Sequence, residues 1–187
     1  MSRRAVFLDR DGVLIENQPE YIRSSHQVEF LPGSIPATQQ LSVSGYIIVL
    51  VSNQSVVGRG IISLDEAMRI NQQVIDEVAA KGGRIDAAYM CPHAPAEDCS
   101  CRKPRPGMLL QAAAELDLDL ARSYMVGDAI SDVEAGRSVG ATSILVRTGR
   151  GSDQARMAPP EWQSSLLIVA DLDEAARHIL VQERKTA

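Results

Sequence analysis

Short, uninterrupted apolar runs alternate along the chain with longer stretches in which apolar residues recur every three or four positions. The runs at residues 5–8, 46–51, 87–90, 123–126, 143–146 and 166–170 predict strands. They lack apolar/polar alternation, the pattern of strands buried on both faces of a parallel sheet. The periodic stretches at 34–42, 64–80, 106–116, 131–139 and 171–182 predict helices. The second of these opens on Ser63 with Glu66 three residues on, a capping box, and stops at Gly82-Gly83. Alternation of β and α predicts an α/β fold, a doubly wound parallel sheet. Without repeats, low-complexity tracts or a linker, the 187 residues read as a single domain, 1–187. Residues 148–160, rich in Gly, Pro and polar side chains, are read as a loop.

The candidate chemistry lies just past the strand ends. The first four runs reach Asp9-Arg10-Asp11, Ser52-Asn53-Gln54, Cys91-Pro92-His93 and Gly127-Asp128. Ligands of open α/β sheets bind outside the carboxyl ends of the strands, where these residues fall in register. Asp9 and Asp11 are close enough to repel, so both stay ionised only beside a cation. With Mg²⁺, one carboxylate can attack phosphorus while the other protonates the leaving oxygen and later activates water. Taken alone, Asp-x-Asp equally describes an acidic turn or a helix cap. Asp128 supplies a further oxygen, so that Asp9, Asp128 and the main-chain oxygen of Asp11 make a partial Mg²⁺ shell. Asp132, one helical turn on, is placed behind it as a partner for Lys103. Ser52 and Asn53 suit phosphate oxygens, or simply a turn. Lys103 offers a point charge to a phosphoryl group and Arg102 a planar fork to substrate oxygens; a solvated basic loop is the plain alternative.

Composition narrows the setting. With 45% hydrophobic and 23% charged residues the chain is globular. Its net charge of −5 argues against a nucleic-acid partner, which needs a basic surface. No stretch approaches the roughly 18 apolar residues of a membrane span. Ser2-Arg3-Arg4 superficially resembles a twin-arginine signal, but the apolar run stops at Asp9, so cytoplasmic residence is the expectation. All three cysteines lie between 91 and 101, in the pattern Cys91-x-His93-x5-Cys99-x-Cys101. Three thiolates and an imidazole suit tetrahedral Zn²⁺ with every position filled, a structural site; buried free thiols that merely pack are the alternative. The loop runs directly into Arg102-Lys103, so a zinc clamp would fix the segment that presents Lys103.

Taken together, these residues are similar to a known set. Phe7-Leu8-Asp9-Arg10-Asp11-Gly12-Val13, Ser52, Lys103 and Gly127-Asp128-x3-Asp132 resemble the four motifs of the haloacid dehalogenase superfamily, over about residues 5–147. Ser52-Asn53-Gln54-Ser55 with Arg59-Gly60, the run from Cys91 to Met108, Ser123 to Asp128 and Leu145 to Gly149 resemble its heptose-bisphosphate phosphatases in particular. The resemblance implies a Rossmann-type core without a large cap domain, and a zinc-binding loop. It implies a magnesium-dependent phosphoric monoester hydrolase acting on the C7 phosphate of a heptose 1,7-bisphosphate, a step toward nucleotide-activated heptose and lipopolysaccharide. Asp9 would be the nucleophile and Asp11 the proton donor and acceptor, with Ser52 and Lys103 stabilising the phosphoryl group. Mg²⁺ would sit at Asp9, Asp11 and Asp128, and Zn²⁺ at Cys91, His93, Cys99 and Cys101. Asn17, Gln18 and Tyr21, together with Asn53, Gln54, Ser55, Arg59 and Arg102, would line the sugar-phosphate pocket of a monomer. Three departures stand out: Ser52 replaces the usual Thr, Ala129 stands where some members carry Lys, and the gap from His93 to Cys99 is short.

That short gap is shared with histidinol-phosphate phosphatases, the nearest rival reading; Ser55, Arg59 and Pro106-Gly107-Met108 favour the heptose branch. A phospho-receiver domain would carry its acceptor aspartate after a middle strand, where this chain has Ser52-Asn53 and Cys91. A zinc-dependent binding module would leave Asp9, Asp11, Asp128 and Lys103 without a role.

Overall fold

The structure, a computed structural model, describes residues 2–162 and 164–186. Strands β1 (Ala5–Leu8), β2 (Ile47–Asn53), β3 (Ala87–Cys91), β4 (Tyr124–Gly127), β5 (Thr142–Val146) and β6 (Leu167–Val169) pair in the order β3-β2-β1-β4-β5-β6. Every pairing is parallel. The helices are α1 (Ser34–Val43), α2 (Ser55–Gly58), α3 (Leu64–Ala80), α4 (Gly107–Leu116), α5 (Ile130–Ser138), α6 (Gly151–Arg156) and α7 (Leu172–Thr186).

Side chains of β1 divide between two layers, as the two-residue period of a strand requires. Val6 and Leu8 pack with Leu41 of α1, Ile70 of α3 and Ile179 of α7. Ala5 and Phe7 pack with Met108, Leu109 and Ala112 of α4. Val133 of α5 closes a smaller cluster with Leu145 and Leu166. Helices therefore cover both faces, the doubly wound arrangement expected from the continuous apolar runs. On α3, Ser63 caps the first turn by accepting the Glu66 N–H at 3.1 Å. The buried stripe of α3 is Ala67, Ile70, Asn71, Val74 and Val78, with Asn71 its one polar member.

The sequence pattern missed α2 and α6, which at four and six residues are too short to show a helical period. The segment 148–160, read as loop, contains α6. Gly151 opens that helix because a Cβ there would stand 1.7 Å from the Val146 carbonyl oxygen. Residues 9–33 and 92–106, leaving β1 and β3, form turns with single 3₁₀ segments rather than a cap domain. Among the described residues, no helix is long and apolar enough to cross a membrane.

Candidate active site

The chain runs outward from β1 to β2 and β3, then returns to place β4 on the other side of β1. Strand order thus reverses between β1 and β4, the crevice where open sheets hold ligands. Asp9 leaves β1 there, its N–H donating to the Val126 carbonyl at 3.0 Å, and Asp128 leaves β4 beside it. Gly12 lets the β1 loop fold back over Asp128: its φ is +84°, and a Cβ would meet Asp128 Oδ2 at 2.3 Å.

Lys103 joins the carboxylates. Its Nζ lies 2.9 Å from Asp9 Oδ1 and 2.7 Å from Asp132 Oδ1, and donates to the Val51 carbonyl at 2.7 Å. The ammonium, 3% exposed, thus has an acceptor for each of its three protons. Burial alone would lower the Lys103 pKa, but Asp132 and Asp9 raise it and keep the cation. Burial raises the Asp9 carboxyl to about 7 against the pull of Lys103, with Asp132, Asp128 and Asp11 adding to the rise. Asp132 is fixed from behind, its Oδ2 accepting the Ala129 N–H at 3.0 Å. It is the partner of Lys103, as its spacing predicts.

Oxygen atoms of Asp9, Asp128 and Asp132 fall within 4.8 Å of one another, a hard, anionic donor set that suits Mg²⁺. The Asp11 carboxylate is not in this group. Its Oδ1 accepts Arg10 Nε at 3.1 Å, and its Oδ2 accepts Arg10 Nη2 at 3.0 Å and Gln54 Nε2 at 2.8 Å. The group named from the sequence to serve a metal is its main-chain oxygen.

Ser52 Oγ is buried with no hydrogen-bond partner among the described residues. A buried hydroxyl without a partner costs about 1–3 kcal/mol, which an incoming oxyanion would offset. Asn53 is engaged elsewhere: its Nδ2 donates to the Lys103 carbonyl at 2.9 Å and its Oδ1 accepts the Lys103 N–H at 3.1 Å. It clamps the lysine loop. Ser55 is buried at the start of α2, while Arg59 ends that helix exposed. Arg102 Nη1 reaches the His93 carbonyl at 3.4 Å. Asn17 Nδ2 lies 3.4 Å from Asp128 Oδ2, at the base of a turn that carries half-buried Gln18 and exposed Tyr21. Tyr21 has φ +66°, in the left-handed region.

At the end of β3 the four soft donors converge. Cys91 Sγ lies 3.5 Å from Cys99 Sγ and 3.6 Å from His93 Nδ1. Cys101 Sγ lies 3.4 Å from Cys99 Sγ and 3.3 Å from His93 Nδ1. With Zn–S near 2.3 Å, a tetrahedral site has S–S edges of about 3.8 Å, so the cluster fits zinc with little rearrangement. Burial pushes Cys91 up to about 12. Burial also opposes ionisation of Cys99, but hydrogen bonds from Cys101 and Cys91 bring it down to about 7. The loop is tied to the rest of the site: Cys91 and Pro92 carbonyls accept the Gln54 and Gly58 N–H groups, each at 2.8 Å.

Sequence reasoning missed Arg150. Its N–H donates to Asp128 Oδ2 at 2.8 Å and its Nη2 lies 2.9 Å from Asp128 Oδ1. Burial works against this cation and Asp128 more than restores it, so its pKa is raised. The available signal was position: β5 ends at Val146, and Gly149-Arg150-Gly151 comes after that strand end as the other site residues come after theirs.

A HAD-hydrolase-like family model matches residues 100–175. The D-glycero-β-D-manno-heptose-1,7-bisphosphate 7-phosphatase of Vibrio cholerae is 42% identical over 193 aligned positions, covering 99% of this chain and 100% of its own length. That of Pasteurella multocida is 42% identical over 155, covering 79% of this chain and 84% of its own. Among solved structures, the D,D-heptose 1,7-bisphosphate phosphatase of B. bronchiseptica, complexed with magnesium and phosphate, superposes with a TM-score of 0.89. It is 33% identical, over 96% of this chain and 99% of that one. On sequence and fold alike, the chain belongs to the D-glycero-β-D-manno-heptose-1,7-bisphosphate 7-phosphatase family of haloacid-dehalogenase-type hydrolases.

Proposed function

We propose that the whole chain acts as one phosphatase domain, removing the C7 phosphate of D-glycero-D-manno-heptose 1,7-bisphosphate through an aspartyl-phosphate on Asp9. The observation that carries this reading is the buried Asp9–Lys103–Asp132 triplet, together with a buried Ser52 hydroxyl that has no hydrogen-bond partner among the described residues. Names of relatives that span nearly the full chain support the substrate.

In the first step an Asp9 oxygen forms a bond to phosphorus as the bond to the C7 oxygen breaks, and Asp11 gives that oxygen a proton so that it leaves as an alcohol. Lys103 and Ser52 hold the equatorial phosphoryl oxygens, whose charge persists through the transition state. In the second step Asp11 takes a proton from water, which attacks phosphorus and releases phosphate from Asp9. Mg²⁺, held by Asp9, Asp128 and the Asp11 main chain, would supply the positive charge that keeps Asp9 ionised and offsets repulsion with the phosphate dianion. Zn²⁺ at Cys91, His93, Cys99 and Cys101 would fix the loop that delivers Arg102 and Lys103. Asn17, Gln18, Tyr21, Asn53, Gln54, Ser55, Arg59 and Arg102 are assigned to the sugar and its second phosphate, in a protein that works as a monomer in the cytoplasm.

Specificity constants for both anomers of the heptose bisphosphate and for histidinol phosphate, measured under identical conditions, test the substrate. The expected result is preference for one heptose anomer by at least about a hundredfold. Turnover no better than with histidinol phosphate sinks the assignment.

A further inference from the structure

Arg10 sits between the two aspartates of the β1 loop and addresses both, in opposite directions. Its backbone N–H donates to Asp9 Oδ1 at 2.9 Å, on the crevice side. Its side chain turns away, buried to 1% exposure, and grips both oxygens of Asp11 through Nε and Nη2. A buried guanidinium is costly unless paired with good geometry, and the bidentate fork is that geometry. The third side of the guanidinium is also held: Nη1 donates to Asn71 Oδ1 at 2.7 Å. Asn71 is the polar member of the buried stripe of α3, a position where an apolar residue would otherwise continue the pattern.

The donor count at Asp11 has a direction. An ionised carboxylate offers about four acceptor sites, two on each oxygen. Oδ2 has both filled, by Arg10 Nη2 and Gln54 Nε2, while Oδ1 carries Arg10 Nε alone. One acceptor site on Oδ1 therefore remains, on a side chain that is 23% exposed.

Resting on the assignment of Asp11 as proton donor and acceptor, we propose that Arg10 is its positioning residue, with Asn71 of α3 locking Arg10 and Oδ1 of Asp11 left as the atom that exchanges the proton. The pair acts on proton transfer and not on attack by Asp9. Helix α3 thereby becomes part of the catalytic support through the Asn71 contact to Arg10.

The distinction is testable through the leaving group. The sugar alkoxide needs a proton to depart; 2,4-dinitrophenolate does not. Single-turnover phosphorylation of the full-length, magnesium-loaded enzyme is followed by rapid quench with heptose 1,7-bisphosphate and with 2,4-dinitrophenyl phosphate. The readout is the ratio of the two rate constants, which is independent of the fraction of protein that is folded. Asn71→Leu and Arg10→Lys, which keeps the charge and loses the fork, are each expected to lower the sugar-to-aryl ratio about 30-fold, part of the 10²–10⁴ that acid–base catalysis supplies. Asn71→Asp, which keeps an acceptor at the same reach, restores it to within about threefold of the parent. A ratio unchanged in Asn71→Leu and Arg10→Lys, with Asp11→Asn collapsing it, overturns the positioning role and leaves the Asp11 assignment standing. A ratio unchanged in Asp11→Asn overturns that assignment first.

Discussion

The two donor clusters of this protein are built on opposite plans. The carboxylate–lysine site draws Asp9, Lys103, Asp128 and Asp132 from distant parts of the chain, and only the finished sheet brings them together. All four are buried; Lys103 is shared between Asp9 and Asp132, and Asp128 is paired with Arg150. The thiol–imidazole cluster occupies residues 91–101, is only partly buried, and needs little beyond its own loop to converge. One is assembled by topology and, on the proposed mechanism, holds the reacting charges; the other is local and is proposed to fix the loop that carries Lys103. The contrast teaches that damage to the carboxylate site removes chemistry, whereas damage to the thiol cluster removes position.

The largest expected effect is Asp9→Asn. It should lower kcat by at least about 10⁴-fold, as loss of a covalent nucleophile does. The fold should survive. Burial raises the Asp9 carboxyl from 3.8 to about 7, so ionising it opposes folding progressively from pH 4 to pH 7. In metal-free buffer the melting temperature of the variant should therefore gain on the parent across that interval and hold its lead above it. A variant that loses stability at pH 8 instead would contradict the burial argument.

Lys103→Met is the next largest and hits both properties. It should cost about 10³-fold in kcat by removing a charge from the phosphoryl group. Asp9 and Asp132 are left buried without their shared cation, an effect of about 3–5 kcal/mol at pH 8 seen in urea unfolding. Retained stability would mean that the triplet is looser than its distances imply.

Cys99→Ser addresses the other plan. Zinc content by elemental analysis should drop, and the melting temperature should fall by about 6–12 °C for a loss of about 3 kcal/mol. Activity should fall less than in Lys103→Met. A zinc-loaded, unchanged protein would break the comparison, because Cys99 would then not be holding the metal that fixes the loop.

Ser52→Ala is the smallest loss. Its hydroxyl has no partner to lose among the described residues, so melting should rise by about 2–12 °C as the cost of about 1–3 kcal/mol for burying it is removed, while kcat/KM falls about tenfold. A large loss of stability would give Ser52 a structural role.

The sequence made these two regions legible to different degrees. The zinc-type cluster was complete in the linear chain, since four donors within eleven positions need no tertiary information. The carboxylate site could be read only because its residues come after strand ends, a regularity that converts topology into position. Where that rule was not carried to β5, Arg150 was missed. Arg10 and Asn71 were missed for a different reason: an arginine between two aspartates reads as surface charge, and one asparagine on an amphipathic helix reads as pattern noise. Their burial and mutual contact exist only in three dimensions. Asn53 was recognised as part of the site, but its side-chain hydrogen bonds to the Lys103 backbone could not be read from a strand-end position.

Transient esterification of Asp9 is the central claim, and the chemistry of both clusters depends on it. Acid-quenching a single turnover within milliseconds, reducing with borohydride and mapping peptides by mass spectrometry reads it directly, since an aspartyl-phosphate becomes homoserine. Homoserine is expected at position 9 in the parent and none in Asp9→Asn. Homoserine at another position, or none at any time while phosphate is being released, would contradict the claim.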